Sequence, residues 1–154
     1  LIPKGISVAA VGARWADHAP FLEGVKIVSR NVEADEFAAW CSSALVTVIV
    51  NRKGNGKPPL TPARGFAEAA CGACMAIQSN REDLPRYFTD GKEYVGWETY
   101  EELVGVCETL LKDAEKRSDL REAARKRAES YTYDARLTRL FMLARGYRTN
   151  DEVP

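Results

Sequence analysis

The six residues Leu45-Val-Thr-Val-Ile-Val50 form the strongest strand signal in the sequence. Nearly all of them are β-branched, and β-branched side chains favour an extended backbone. A continuous apolar run of this length is typical of a strand that is covered on both faces, as in a parallel sheet. We therefore expect a buried strand here with helices packed against it.

Strand and helix signals alternate on both sides of this run. Short β-rich runs predict strands, and apolar residues at three- and four-residue steps predict helices. The further strands are predicted at Ile6–Gly12, Val25–Val28, Met75–Gln78 and Glu93–Trp97, and the helices at Ala34–Ala44, from Thr61 to Ala70 or Cys71, from Thr99 onward, and over Ser118–Arg145 with a break near Tyr131–Tyr133. This alternation predicts an α/β fold, a Rossmann-like parallel sheet with helices on both faces. We expect one such domain over residues 1–149 and a flexible tail over residues 150–154.

Local signals mark several helix boundaries. Gly72 suits the position just after the end of the helix that begins at Thr61. Ser79 with Glu82, and Thr99 with Glu102, have the spacing of capping boxes, in which the two side chains satisfy backbone N–H groups of the first turn. We predict that helices begin at both boxes.

The composition is that of a folded domain without a dominant charge. The 154 residues include 22 Lys plus Arg and 22 Asp plus Glu, so the net charge is zero, and 45% of the residues are hydrophobic. A neutral chain lacks the basic footprint of a nucleic-acid-binding protein. No apolar run reaches the roughly 18 residues of a transmembrane segment, and no secretory signal is visible, so we expect a cytoplasmic protein. Because the sequence starts at Leu1, we also expect a fragment of a longer protein.

The four cysteines are too few for a disulfide scaffold in a chain of this length; they are Cys41, Cys71, Cys74 and Cys107. Cys71 and Cys74 have CxxC spacing, but a zinc site needs a second pair or nearby histidines, and His18 is the only histidine. We predict buried thiols in a reducing compartment and no metal site.

The segment between the strand and the next helix has features of a phosphate-binding loop. Residues 51–60 are rich in glycine and lysine, including Gly56 and Lys57, and glycines let a ligand approach the backbone closely. Thr61 suits the N-cap of the helix that follows, and the N-terminus of a helix carries a partial positive charge. Arg64 stands in the first turn and can form forked hydrogen bonds to phosphate oxygens.

Arg64 is unfavourable where it stands unless an anion lies beside it, because a cation in the first turn opposes the helix dipole. On these residues alone, an exposed loop with a solvated Arg64 is an equal alternative to a phosphate site. The segment is not a P-loop, since Asn51 and Pro58 stand where GxxxxGK[ST] requires Gly and Ser or Thr.

Several motifs, taken in order along the chain, resemble those of one enzyme family. They are Gly12-Ala-Arg-Trp15, Arg64-Gly-Phe-Ala-Glu-Ala-Ala-Cys-Gly72, Phe88-Thr-Asp-Gly-Lys-Glu-Tyr-Val95, Glu101-Glu-Leu103, and Tyr131-Thr-Tyr133 with Arg136. They are similar, in that order, to G-x-G-W, R-x-F-E-A-x-A-C-G, F-x-x-G-x-E-hydrophobic, E-E-L and H-T-Y-x-x-R. These patterns occur in the C-terminal half of group 1 glycosyltransferases with the GT-B fold, and the closest resemblance is to the CgeB-like branch.

The resemblance implies a transferase whose nucleotide-sugar donor binds to this domain, with a UDP-sugar as the expected donor. A separate N-terminal domain would bind the acceptor and supply the catalytic side chains. No catalytic residue is therefore assigned in this chain, which we expect to be inactive on its own. The resemblance implies no metal and no other cofactor.

The resemblance also implies where the donor binds. The turn from Thr61 to Arg64, together with Gly56 and Lys57 of the preceding loop, would face the diphosphate. Arg30 and Asn31 would lie near the base. Trp15 is the best candidate among the tryptophans for stacking on a base or sugar.

Three positions depart from the family pattern. Ala67 stands where the family has the glutamate that holds the ribose, and Glu68 follows it. One helical step is about 100° of rotation, so either Glu68 binds the ribose from a shifted helix or ribose recognition is lost. The family's earlier acidic residue falls on Pro59 or Leu60, and Tyr131 replaces a histidine. The alternative is therefore a non-catalytic Rossmann-like domain that binds nucleotides or a protein partner.

The segment over residues 112–129 is dense in charge. Asp113 with Arg117, and Glu122 with Lys126, have the spacing and orientation of favourable ion pairs along a helix. This pattern predicts a solvated helix face rather than an interaction surface.

Overall fold

The computed structural model of the chain describes residues 1–2, 5–12, 15, 17, 23–28, 31–50 and 63–145. In chain order the elements are β1 (Ala9–Val11), β2 (Lys26–Val28), α1 (Ala34–Ser43), β3 (Thr47–Ile49), α2 (Ala63–Ala70), β4 (Met75–Gln78), a short 3-10 helix (Leu84–Arg86), β5 (Val95–Trp97), α3 (Tyr100–Lys112), α4 (Ala114–Glu129) and α5 (Tyr133–Ala144). The chain divides into two compact units, Leu1–Ser43 and Ala44–Pro154. Within the described residues, no helix combines the length and the apolar content needed to cross a membrane.

The first unit contains a two-stranded parallel sheet. β1 pairs with β2 from Ala9 opposite Lys26 to Val11 opposite Val28. The chain leaves β1 at Gly12, whose φ is +133°, a backbone conformation that favours glycine. Both strands lie within the predicted runs and are shorter than predicted.

The second unit contains a three-stranded parallel sheet in the order β3-β4-β5. β4 lies in the middle, with Met75 opposite Thr47 of β3 and Gln78 opposite Trp97 of β5. Because β4 has a strand on each side and helices packed against it, its residues Met75, Ala76 and Ile77 are fully buried. The parallel pairing confirms the predicted α/β, Rossmann-like architecture.

The core of the second unit forms where two helices pack beside the sheet. Cys74, which precedes β4, clusters with Leu110 of α3 and Leu120 of α4. α4 buries a stripe at four-residue steps, Leu120, Ala124 and Ala128, and α2 packs against α4. The small side chains of the alanines allow this close approach of the two helices, so α2 is held between β4 and α4.

The cysteines are free thiols, and three of them are buried as predicted. Cys41, Cys74 and Cys107 are buried, and Cys71 is half-buried. Burial raises the pKa of the Cys74 and Cys107 thiols, because a thiolate loses its hydration in the core. These two cysteines therefore act as small apolar residues rather than nucleophiles.

Two of the predicted helix boundaries are confirmed in detail. Glu102 N–H donates to the Thr99 hydroxyl, and the Glu102 carboxylate accepts from the Thr99 N–H, which completes the capping box of α3. At the end of α2, Gly72 has a φ of +74°. Its N–H donates to Ala69, and the Ala73 N–H donates to Glu68, which is the hydrogen-bond pattern of a Schellman motif.

The capping box predicted at Ser79 and Glu82 is wrong. The only helical turn in this segment is the 3-10 helix Leu84–Arg86, which Asp83 precedes without a side-chain cap. In a helix that began at Ser79, Pro85 would lie in the interior, where its missing N–H and its ring break the helix. Pro85 instead lies in the first turn of the 3-10 helix, where proline is tolerated. The segment instead curves from β4 towards β5.

The strand around Leu45–Val50 is real but shorter and less covered than predicted. Only Thr47–Ile49 is paired, and Leu45 and Val50 are 49% and 68% exposed. β3 is an edge strand of the described sheet, so it has a partner on one side only. The apolar run therefore overstates the burial of its two ends.

The charged helix α4 has the predicted solvated face and, in addition, a partly buried face with arginines. Asp113 caps α4 by accepting from the Lys116 N–H, so the predicted pair of Asp113 with Arg117 is wrong. Three arginines of α4 are half-buried and donate to backbone carbonyls elsewhere: Arg117 to Leu110 and Leu111, Arg121 to Ala44, and Arg127 to Tyr87, at 2.5–3.0 Å. These bonds tie α4 to the segments around it.

Candidate functional site

Two of the predicted donor-binding residues that the structure describes, Arg64 and Glu68, lie on α2. This helix follows β3 in the chain and precedes β4, and in parallel α/β sheets helices that follow strands start at the edge where ligands bind. Gly65, Glu68 and Ala69 form its buried face. Gly65 faces Phe88 and Ile49, since a Cβ there would lie 3.9 Å from Phe88 and 4.0 Å from Ile49, in ordinary van der Waals contact.

Arg64 and Glu68 form an ion pair along α2. The Arg64 Nε donates to Glu68 Oε1 at 2.5 Å. The Arg64 side chain is 52% exposed, whereas that of Glu68 is 1% exposed. The anion beside Arg64 is thus the Glu68 carboxylate, which lies one turn later on the same helix. This ion pair was not predicted, although the spacing of four residues is visible in the sequence. The terminal nitrogens of Arg64 still carry N–H donors that the Nε contact does not use.

The second oxygen of the Glu68 carboxylate has no partner in the described part of the chain. Oε2 is buried, and no hydrogen bond to it is formed by any residue that the structure describes. An unpaired buried acceptor costs about 1–3 kcal/mol, so the free oxygen is a place where a bound water, ion or ligand hydroxyl would add stability. The buried face of α2 therefore holds an oxygen to which no described residue donates a hydrogen bond.

The step from Ala67 to Glu68 changes the side of α2 from which the carboxylate projects. Ala67 is exposed, and Glu68 is fully buried. A glutamate at position 67 would lie at the surface, whereas Glu68 lies against the core and is held by Arg64. The rotation of about 100° for one residue accounts for this difference.

An aromatic cluster lies behind α2 and was not predicted. We call it the aromatic clasp; it consists of Phe66, Tyr87, Phe88 and Tyr131. Ring centroids are 5.0–5.7 Å apart in its four contacts, two of them near-perpendicular. Two arginines lie over its rings: Arg127 is 5.5 Å from Tyr131, and Arg136 is 5.4 Å from Phe66 and 6.0 Å from Tyr131. Phe66, the adjacent pair Tyr87 and Phe88, and Tyr131 are separated by 20 residues or more along the chain, so no local pattern could have found the cluster.

The segment Phe88 to Val95 builds the turn that enters β5. Glu93 is buried, and its carboxylate accepts from the Thr89 N–H at 2.5 Å. The Asp90 carboxylate accepts from the Gly96 N–H at 2.8 Å. Both acids thus satisfy backbone donors within the turn, which gives this motif a structural role in the described chain.

The chain is similar in sequence to one protein family over nearly its full length. Residues 2–142 match the sequence model of a family described as glycosyl transferase-like. The chain belongs to this glycosyl transferase-like family. A comparison with curated protein sequences gives no match.

Solved structures similar to this glycosyl transferase-like chain include sucrose-phosphate synthase and HepE. Sucrose-phosphate synthase from Thermosynechococcus elongatus matches with a TM-score of 0.67 and 15% identity, over 85% of this chain and 32% of that one. HepE from Anabaena, solved with UDP, matches with a TM-score of 0.68 and 13% identity, over 91% of this chain and 40% of that one. HepE solved with UDP-glucose matches with a TM-score of 0.65 and 12% identity, over 90% of this chain and 40% of that one. At these identities the likeness shows the fold, and the glycosyl transferase-like chain spans less than half the length of each structure.

In this glycosyl transferase-like chain the predicted donor residues fall into three groups. Arg64 and Glu68 are together on α2. Trp15 and Asn31 belong to the first unit. Trp15 is half-buried, and its Nε1 lies 3.6 Å from the position that a Cβ on Gly12 would occupy. Asn31 is exposed. The others lie outside the described residues: Arg30, Gly56, Lys57 and Thr61.

Proposed function

We propose that the chain is the donor-binding part of a two-domain GT-B glycosyltransferase of the CgeB-like branch. The whole enzyme would transfer a glycosyl group, such as a hexose, from a nucleoside-diphosphate sugar to an acceptor held by an N-terminal domain. Family membership supports the reaction class, and the UDP and UDP-glucose complexes of HepE support a UDP-sugar as donor. The observation that carries the proposal is the buried Glu68 carboxylate, with one oxygen unpaired among the described residues, beside Arg64 in the first turn of α2.

The chemistry required of this domain is electrostatic. When the glycosidic bond to the donor breaks, negative charge grows on the departing diphosphate. The N-terminus of α2 and the Arg64 guanidinium supply positive charge there, which lowers the energy of the transition state. Because these groups provide the charge, we propose transfer without a metal or another cofactor.

Glu68 has two roles in the proposed site. Its Oε1 holds the Arg64 guanidinium in place. Its Oε2 would accept a hydrogen bond from a ribose hydroxyl once the groups covering the carboxylate move aside. Thr61, Gly56 and Lys57 would line the diphosphate, and Arg30, Asn31 and Trp15 the base. The catalytic side chains would come from the N-terminal domain of a cytoplasmic enzyme, so the chain alone would bind donor without transferring sugar.

The first experiment is a calorimetric titration of the chain with UDP, GDP, dTDP, CDP and ADP, without metal. We expect selective binding of UDP. Arg64→Ala should weaken it by about tenfold or more, since a charge-assisted hydrogen bond to phosphate contributes about 1.5–3 kcal/mol. Arg125→Ala, at an exposed arginine of α4, is the matched control and should leave the affinity unchanged. Binding of no diphosphate, or binding that Arg64→Ala does not weaken, would favour a domain that keeps the fold without the donor site.

A second titration tests Glu68 with UDP and 2′-deoxy-UDP. If Oε2 accepts from the ribose, the wild-type chain should bind UDP more tightly than the deoxy form. Glu68→Gln should reduce that preference, because an amide replaces one carboxylate oxygen with an N–H₂ donor. If the wild-type chain and Glu68→Gln preferred UDP over 2′-deoxy-UDP to the same degree, Glu68 would not bind the ribose and would serve only to hold Arg64.

A further inference from the structure

The motif Tyr131-Thr-Tyr133 with Arg136 has no part in the donor site described above. Thr132 caps α5 by accepting from the Ala135 N–H, which explains one residue of the motif. Tyr131 and Arg136 instead contact α2 through the aromatic clasp. The motif therefore joins the turn between α4 and α5 to the helix that carries Arg64 and Glu68.

The point of contact on α2 is Phe66. Its ring lies 5.3 Å from Tyr87, 5.1 Å from Phe88 and 5.0 Å from Tyr131, and the Arg136 guanidinium lies 5.4 Å from its centroid. Phe66 is two residues from both Arg64 and Glu68, a rotation of about 200°. It thus projects from the side of α2 opposite to the ion pair, so the clasp contacts the back of the helix while the ligand-binding groups face away.

A short helix needs such a contact. α2 has eight residues, and helices of this length do not persist in water without tertiary packing. A helix that rotates also moves the Arg64 guanidinium. The interactions that fix its rotation therefore decide how well the guanidinium is oriented before a ligand arrives.

Arg136 reaches the clasp from an otherwise exposed helix. α5 buries none of its residues, and Arg136 is itself exposed. Its two ring contacts are thus a specific link between α5 and the rest of the second unit. A guanidinium over an aromatic face is attracted by the ring quadrupole, and this interaction persists at the surface.

We propose that Arg136 is a positioning residue, which fixes the orientation of α2 through Phe66 and Tyr131. The inference rests on the proposed function only in that α2 is taken to bind the donor diphosphate. The restraint of α2 by Arg136 is a property of the free chain.

Amide hydrogen exchange of the free chain tests the restraint directly. Arg136→Met removes the cation and keeps much of the length, and Arg136→Lys restores a cation. Arg139→Met, at an exposed arginine of the same helix, is the matched control. We expect Arg136→Met to speed exchange at the end of α2, at Cys71 and Ala73, by about three- to tenfold. Arg136→Lys should reverse part of this change.

Reference amides distinguish the restraint from a general loss of stability. Leu103 in α3 and Thr47 in β3 donate to backbone carbonyls away from the clasp, and their exchange should not change. Phe66→Leu, which removes the ring from the other side of the contact, should reproduce the effect. Exchange in α2 equal to that of Arg139→Met, or a uniform rise at all amides, would overturn the inference.

Titration with UDP separates this inference from the proposed function. If the donor site is on α2, Arg136→Met should weaken UDP binding by a factor similar to its effect on exchange. Unchanged UDP affinity together with faster exchange in α2 would show that the orientation of α2 is not used for binding and would overturn the positioning role. If the wild-type chain binds no diphosphate, the proposed function fails, and the exchange data alone decide whether Arg136 restrains α2.

Discussion

Among the glycines that the structure describes, Gly96 has the least room for a side chain. A Cβ there would overlap Ser79 Oγ and lie 2.7 Å from Asp90 Oδ2. Asp90 cannot move aside freely, because its other oxygen accepts from the Gly96 N–H. We expect Gly96→Ala to lower the free energy of unfolding by about 1–3 kcal/mol, measured by urea denaturation.

Gly105 provides the opposite case. It lies inside α3, and a Cβ there would have nothing within 4 Å. Alanine favours the helix over glycine by about 0.5–1 kcal/mol, so Gly105→Ala should raise the free energy of unfolding by that amount. If Gly96→Ala and Gly105→Ala changed the free energy of unfolding in the same direction, the crowding around each glycine would not explain the effect of the added methyl group.

Tyr94 makes stability depend on pH in the alkaline range. Burial, reinforced by the carboxylates of Asp90 and Glu93, raises the pKa of Tyr94 to about 12 from its ordinary value of 10.0. The folded protein therefore holds this proton more tightly than the unfolded chain. Its contribution is complete below pH 10 and is lost as pH rises towards 12, a decline of about 2–3 kcal/mol.

The measurement is urea denaturation of the wild-type chain and Tyr94→Phe across pH 9–12. The wild type should lose more stability than the variant over this range. Tyr133→Phe, which removes an exposed phenol, controls for the loss of a tyrosine. Parallel pH curves for the wild type and Tyr94→Phe would contradict the expected contribution.

At the scale of elements, the arginines of α4 stabilise the second unit through the backbone. The Arg121 Nη2 donates to the Ala44 carbonyl at 2.6 Å, before β3 begins. Arg121→Met should cost about 1.5–3 kcal/mol, because it leaves a partly buried carbonyl without its charged donor. Arg125→Met, at an exposed position of the same helix, should change the melting temperature little. An equal change in melting temperature for the two variants would show that the bond from Arg121 to Ala44 does not stabilise the fold.

The elements that could be predicted from sequence are those set by local interactions. β4 matches the prediction residue for residue, because its apolar run is bounded by Gly72 and Ser79 and is buried in the middle of a sheet. The cap at Thr99 likewise depends only on residues within one turn. β3 was overestimated, because its extent depends on the register with β4, and a register is not visible in an isolated run.

For the candidate site, the sequence likewise predicted individual residues but not the contacts between them. Arg64 could be recognised as a cation in a first turn, and Glu68 as the acid one residue beyond the family position. Their ion pair and the burial of Glu68 required the rotation of α2 against the core. The aromatic clasp required contacts among Phe66, Tyr87 and Tyr131, which are at least 20 residues apart, and no periodicity connects such positions.

At the scale of the whole molecule, the exposed large apolar side chains of the described residues are concentrated on α5. Six large apolar side chains of this helix are exposed: Tyr133, Leu137, Leu140, Phe141, Met142 and Leu143. Among the described residues outside α5, only Leu45, Val50 and Tyr100 are exposed large apolar side chains. Contiguous apolar patches favour association with another surface, because burying them removes apolar area from water.

We therefore expect the isolated chain to self-associate at high concentration and Phe141→Glu to reduce this association. Phe141 is 64% exposed, so replacing it should change the free energy of unfolding by about 0.5 kcal/mol or less. Sedimentation velocity over a concentration series measures the association. Ser118→Glu, at an exposed position of α4, adds the same charge without removing apolar surface and should leave association unchanged. If Ser118→Glu reduced association as much as Phe141→Glu, net charge rather than the α5 surface would control it.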